Sequence, residues 1–152
     1  MTNVEKHGFH FIGIPLRTSN ENGQAAQDIP AIWHKFISEN LQSKIPNKVN
    51  ENEITAIYTN YEDDFMKPYT MLLGCLVSDL THIPEGMIGQ SFENETYCTF
   101  NPTGKLQDGI VIEQWKEIWS SGLQRKYTQD LEIYQTNPND PEDVKVEILI
   151  AI

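Results

Sequence analysis

"IPAIWHKFI" (29–37) and "VIEQWKEIW" (111–119) align without a gap, placing Trp33 on Trp115 and Phe36 on Ile118. In the first stretch Ile29, Ile32, Trp33, Phe36 and Ile37, with Leu41 beyond, recur at intervals of three and four residues. Val111, Ile112, Trp115, Ile118 and Trp119 do the same in the second. That spacing predicts two amphipathic helices, each with an apolar face to bury. Asp28 and Asp108 are placed to cap their N-termini, with Pro30 in a first turn and Gly122 as a C-terminal stop.

The same pattern surrounds each helix. "GFHFIGIPL" (8–16) reads as a strand before the first, and "ITAIYTNYE" (54–62) and "YTMLLGCLVSDL" (69–80) as strands after it. "ENETYCTFNP" (93–102) precedes the second helix, and "YTQDLEIYQ" (127–135) and "VKVEILIAI" (144–152) follow it. "THIPEGMIGQ" (81–90), with Pro84, Gly86 and Gly89, reads as a break between the halves. The order is strand–helix–strand–strand, twice, over halves of about 7–80 and 92–152 within one domain, 1–152. Neither half can bury its helix face alone. Joined, they predict an α+β fold: a mainly antiparallel sheet with both helices packed on it, a pseudo-twofold axis, and a cleft at the seam. In the last strand Val144, Val146, Ile148 and Ile150 alternate with Lys145, Glu147, Leu149 and Ala151, so both faces are covered toward its end.

The 152 residues are 39% hydrophobic and 22% charged, as in a globular chain. No apolar run approaches the roughly 18 residues of a membrane span, and "MTNVEKHGFH" is no secretory signal, so a cytoplasmic protein is expected. The net charge of −11 repels a phosphate backbone and disfavours direct nucleic-acid binding. Cys75 and Cys98 lie in apolar runs and read as buried free thiols. No GxSxG elbow, Walker loop, HExxH or GxGxxG occurs, and His7, His10, His34 and His82 are scattered. Glu62–Asp63–Asp64 lacks the ligand spacing of a calcium loop and reads as a solvated turn. No metal, cofactor or catalytic residue is assigned.

Aromatic residues carry more information. Tyr58, Tyr61, Tyr97 and Tyr134 fall in strands and suit a wall that is apolar yet offers hydroxyls. In "YTQDLEIY" (127–134), Leu131 and Ile133 point to one face, and Asp130, Glu132 and Tyr134 to the other. A lone strand glutamate is ordinarily exposed. Ringed by aromatics it would instead be a desolvated carboxylate that attracts an apolar cation, aided by cation–π contacts.

"DIPAIWHKF", "YTNYEDDF", "YTMLLGCLV", "IPEGM", "QWKEIW" and above all "YTQDLEIY" resemble the GyrI-like small-molecule-binding family, also known as the AraC-type effector-binding domain, which includes stand-alone and integron-associated members. The resemblance runs from about Gly8 to Ile152. It implies ligand binding between the halves, with Glu132 and Tyr134 at the family's acid–x–Tyr position and Trp115 and Trp119 as aromatic walls. Tyr58 and Tyr97 are assigned to the central strands, and Trp33 follows from the internal repeat. Leu131 stands where the family usually has Phe, and Glu95–Thr96 where it tends to have Gly–Lys. Many relatives carry a helix-turn-helix DNA reader; no such segment is read here, so the chain is not expected to read DNA itself. The expected ligand is an amphipathic small molecule, a lipophilic cation being favoured. Two alternatives stay open: a hydrolase of small electrophiles using Glu132 and a tyrosine, and an acidic protein-binding inhibitor module. Monomer and homodimer are equally compatible with the sequence.

Overall fold

Eight strands and three α-helices occupy residues 2–152, the part of the chain that the computed structural model describes. In chain order they are β1 (Thr2–Lys6), β2 (Phe9–Thr18), α1 (Gln24–Ser38), α2 (Leu41–Lys44), β3 (Glu53–Thr59), β4 (Tyr69–Val77), β5 (Ile88–Phe92), β6 (Glu95–Phe100), α3 (Ile110–Ser120), β7 (Gln129–Asn137) and β8 (Asp140–Ala151). The strands form one sheet in the order β1-β6-β8-β7-β3-β4-β2-β5, and every pairing is antiparallel.

That order is palindromic. β3-β4-β2 lies on one side of the β3–β7 seam and β7-β8-β6 on the other, so each strand has a counterpart at the same depth. The two outermost strands extend the symmetry by exchange. β1 precedes β2 in the chain but pairs with β6, and β5 precedes β6 but pairs with β2. Each edge strand thus clasps the opposite half. The sequence predicts no strand at 2–6 and a break at 81–90; β1 occupies the first segment, and β5 begins within the second. Both strands are short, and β1 is almost wholly exposed. Edge strands of this kind lack the clean alternation on which strand prediction depends.

A core fills each face of the sheet. On the helix face, Ile32 and Phe36 of α1 and Trp115 and Ile118 of α3 pack on Ile54, Ala56, Met71, Leu73, Ile148 and Ile150. On the other face Phe11, Ile57, Leu72, Tyr97, Leu131 and Leu149 are buried against one another. No helix residue belongs to that second cluster. Ile148, Leu149, Ile150 and Ala151 are all buried, which is why the alternation fades at the C-terminus.

The helix ends differ from expectation. α1 begins one turn before Asp28, after Gly23 in the left-handed region (φ 69°). Asp28 instead accepts from Thr18 Oγ1 at 2.9 Å, and Pro30 lies inside the helix rather than in its first turn. α3 is preceded by Gly109 (φ 76°), while Asp108 closes a short 3-10 turn. Glycine supplies the positive φ at both starts without a Cβ clash. Gly122, also left-handed at φ 72°, follows the end of α3. Ile37, counted in the apolar stripe, is 61% exposed because the stripe is narrower than its spacing suggested.

Candidate functional site

A cavity of about 690 Å³ lies between the sheet and helices α1 and α3. Its walls come from both sides of the seam: Trp33, Tyr58 and Tyr69 from one half, Trp115, Trp119 and Tyr134 from the other, with Glu132 at its base. The edges and faces of the rings interlock. Trp33 meets Tyr134 edge-on at 4.9 Å between centroids, and Tyr58 meets Trp115 at 5.6 Å.

Strand parity aims Glu132 into this space. β7 sits at the centre of the sheet, where Glu132 faces Ala56 of β3 on one side and Ile148 of β8 on the other. Neither neighbour is charged, and Ala56 leaves room beside the carboxylate. Glu132 is 2% exposed. Trp115 Nε1 donates to its Oε2 at 2.6 Å, and the Tyr134 hydroxyl donates to its Oε1 at 2.8 Å. Among the described residues no salt bridge reaches it. Burial pushes its pKa up; the donors Trp115, Tyr134 and Tyr58 pull it back without cancelling that rise. The surrounding phenols are also displaced upward: Tyr58 and Tyr134 well above their ordinary value and Tyr69 to about 12, each first by burial and then by the nearby carboxylate.

Two residues before Glu132 lies a second buried acid. Asp130 Oδ2 accepts from Arg125 Nη2 at 2.7 Å and from the Tyr61 hydroxyl at 2.5 Å, and its Oδ1 accepts from the Ala151 backbone N–H at 3.0 Å. Burial works against the charge on both partners: it keeps the Asp130 pKa raised despite Arg125, while Asp130, Tyr61 and Tyr127 together offset the burial of Arg125 and hold the guanidinium above its usual pKa. Arg125 lines the cavity and stacks near the rings of Tyr127, Trp115 and Tyr61. With this ion pair balanced, the ionisable groups buried at the site leave one negative charge, on Glu132 whenever it is ionised.

Also in the lining, Phe65 stacks on Trp119 at 5.4 Å and 9°. Phe65 belongs to the loop between β3 and β4. That loop is tied down where Asn20 Nδ2 donates to the Phe65 carbonyl at 2.5 Å and Ser19 Oγ to the Met66 carbonyl at 2.9 Å.

Six of the seven residues singled out from the sequence line this cavity: Glu132, Tyr134, Trp115, Trp119, Trp33 and Tyr58. Tyr97 does not. It pairs with Ala151, is fully buried in the opposite core, and its hydroxyl accepts from Gln129 Nε2 at 3.2 Å. Its strand was identified, but which side chains of that strand face the helices depends on a register the sequence does not display. Tyr61, named among the tyrosines suited to such a wall, lines the cavity too, whereas nothing in the sequence analysis assigns Arg125, Asp130, Tyr69 or Phe65 to a site. Asp130 carried a signal, since it shares the face of Glu132; Phe65 lies in a loop and carried none. Cys75 and Cys98 are buried and free, and burial pushes the Cys75 thiol up to about 12, far from a nucleophile's range. Among the described residues no group of His, Cys, Asp and Glu could hold a metal ion, and no helix is long and apolar enough to cross a membrane.

The profile of the family "Cass2: Integron-associated effector binding protein" matches residues 4–152. "Putative transcriptional regulator protein YobU" of Bacillus subtilis (strain 168) is 28% identical over 145 residues, spanning 93% of this chain and 91% of that protein. The integron cassette protein VCH_CASS2 of Vibrio cholerae superposes with a TM-score of 0.75 at 27% identity, covering 99% of this chain and 94% of its own. SAV2435, solved bound to tetraphenylphosphonium, shares the fold with a TM-score of 0.75 at 15% identity, covering 99% and 92%.

Proposed function

The chain belongs to the integron-associated effector binding protein family, and from that premise we propose that its cavity binds amphipathic small molecules carrying a single positive charge. A small-molecule-binding domain is what the family and the fold support; the cationic preference rests on Glu132. That carboxylate is desolvated, is held by neutral donors only, and is walled by rings from both halves. A bulky organic cation loses little hydration on entry, gains Coulomb attraction in a low-dielectric site, and makes cation–π contacts of about 0.5–2 kcal/mol each. SAV2435 was solved with tetraphenylphosphonium, a cation of this kind.

The Tyr134 hydroxyl is already committed to Glu132, and its raised pKa makes it a poor proton donor. Both features favour binding over the hydrolytic alternative. The test is calorimetric titration of tetraphenylphosphonium into the wild-type protein and Glu132→Gln. The wild type should bind, and the variant should lose at least about ten-fold in affinity, as expected for removing a buried charge partner. Equal affinity in the two proteins would overturn the reading.

A further inference from the structure

Arg125, a residue of the cavity wall, carries donors that no described residue accepts. Arg125 carries five N–H groups in one plane. Its side chain is 3% exposed, and only Nη2 is engaged, with Asp130 Oδ2 at 2.7 Å and the Tyr61 hydroxyl at 3.5 Å. Nε and Nη1 are buried with no hydrogen-bond partner among the described residues. The rings of Tyr127, Trp115 and Tyr61 lie 4.4, 5.7 and 5.9 Å from the guanidinium carbon. Cation–π contact with ring faces eases the burial of the charge but offers no lone pair to in-plane N–H groups. Buried donors are nearly always satisfied in folded proteins, and the side chain that carries these two lines the cavity.

Resting on the cation-binding reading above, we propose that Arg125 is the second recognition element of the same pocket. One of these two donors, which diverge around the guanidinium plane, donates to a neutral carbonyl oxygen of the ligand, so the preferred ligand is an amphipathic cation bearing a ketone, ester or amide. A neutral acceptor is favoured over a carboxylate because Asp130 already balances the guanidinium. A ligand carboxylate would set a third buried acid beside Asp130 and Glu132. Glu132 then selects for charge and Arg125 for a polar group at a fixed distance from it, which separates this pocket from one that takes any greasy cation.

The experiment uses the intact protein and alkyltrimethylammonium ions of one chain length: the parent and a set with a single CH₂ replaced by C=O at successive positions. Affinities are measured by calorimetry. At least one ketone should bind about ten-fold tighter than the parent, the gain of a hydrogen bond to a charged donor. Arg125→Lys should narrow that gap, because an ammonium can still meet Asp130 but cannot reproduce the planar fork. If every ketone binds no better than the parent while the parent still needs Glu132, the carbonyl inference is wrong and the cation reading survives. A full gap retained in Arg125→Lys would likewise overturn the assignment. Failure of all the ions to bind the wild type would overturn both readings. Should Arg125→Lys not fold, the wild-type series decides alone.

Discussion

Asp130 and Glu132 stand two residues apart on β7, point to the same face and are both buried, yet only Asp130 has a cation: Arg125 lies 2.7 Å from it, while Glu132 is held by an indole and a phenol. One strand therefore carries a structural acid and, beside it, an acid without a counter-ion.

The two acids should respond oppositely to isosteric neutralisation. Asp130→Asn leaves Arg125 as an uncompensated buried charge and should cost about 3–5 kcal/mol in urea-unfolding free energy. Glu132→Gln removes a desolvated charge that has no cationic partner, so the empty protein should be as stable as wild type or more so. Comparable losses in both variants would show that Glu132 carries structural weight that its surroundings do not reveal.

On the proposed reading, protons and cations compete for Glu132. Its folded pKa lies above the ordinary 4.5, so between those two values the folded state binds more protons than the unfolded one. Stability without ligand should therefore fall as pH rises through that window. Affinity for tetraphenylphosphonium should rise over the same window, with proton uptake by the buffer. In Glu132→Gln the affinity slope should disappear and the stability slope should flatten, Asp130 keeping its own share because its pKa is also raised; pH-dependent melting and calorimetry in buffers of different ionisation enthalpy would show both.

Phe65 and Trp119, both lining the cavity, stack on each other and join the β3–β4 loop to α3. An aromatic pair contributes about 0.5–1.5 kcal/mol beyond its buried area. Most of that should appear in ligand escape, because the loop stays anchored at Asn20 and Ser19. Phe65→Ala should speed dissociation about two- to ten-fold in stopped-flow displacement, with little change in melting temperature.

The duplicated unit was legible because Trp33 and Trp115 occupy equivalent places on two amphipathic helices with like strands around them. Glu132 was legible as a candidate because it alternates with Leu131 and Ile133 and precedes Tyr134. Less visible were features set by pairing between distant segments. The exchange of β1 and β5 follows from sheet order, which short polar edge strands do not encode in their own sequence. Arg125 meets Asp130 only because the segment before β7 turns back, with Tyr127 in a left-handed conformation (φ 59°) that few non-glycine residues adopt. The caps were misread because Asp28 and Asp108 have good capping side chains, while Gly23 and Gly109 supply the backbone geometry instead.

Tyr97 supplies the check on which face of the sheet matters. It was expected in the ligand site and lies in the opposite core, where the Gln129 amide donates to its hydroxyl at 3.2 Å and burial pushes its pKa up to about 12. Tyr97→Phe removes that acceptor and leaves a buried amide donor short of a partner, a cost of about 1–3 kcal/mol. The sheet separates it from Glu132, and no ring or donor of the cavity is lost. Denaturant unfolding of Tyr97→Phe should therefore show the loss, while tetraphenylphosphonium affinity stays within about two-fold of wild type. Tyr58→Phe should give the reverse balance, since Tyr58 lines the cavity and helps hold the Glu132 charge. A ten-fold loss of affinity in Tyr97→Phe, with stability intact, would mean that the ligand reaches the other face of the sheet.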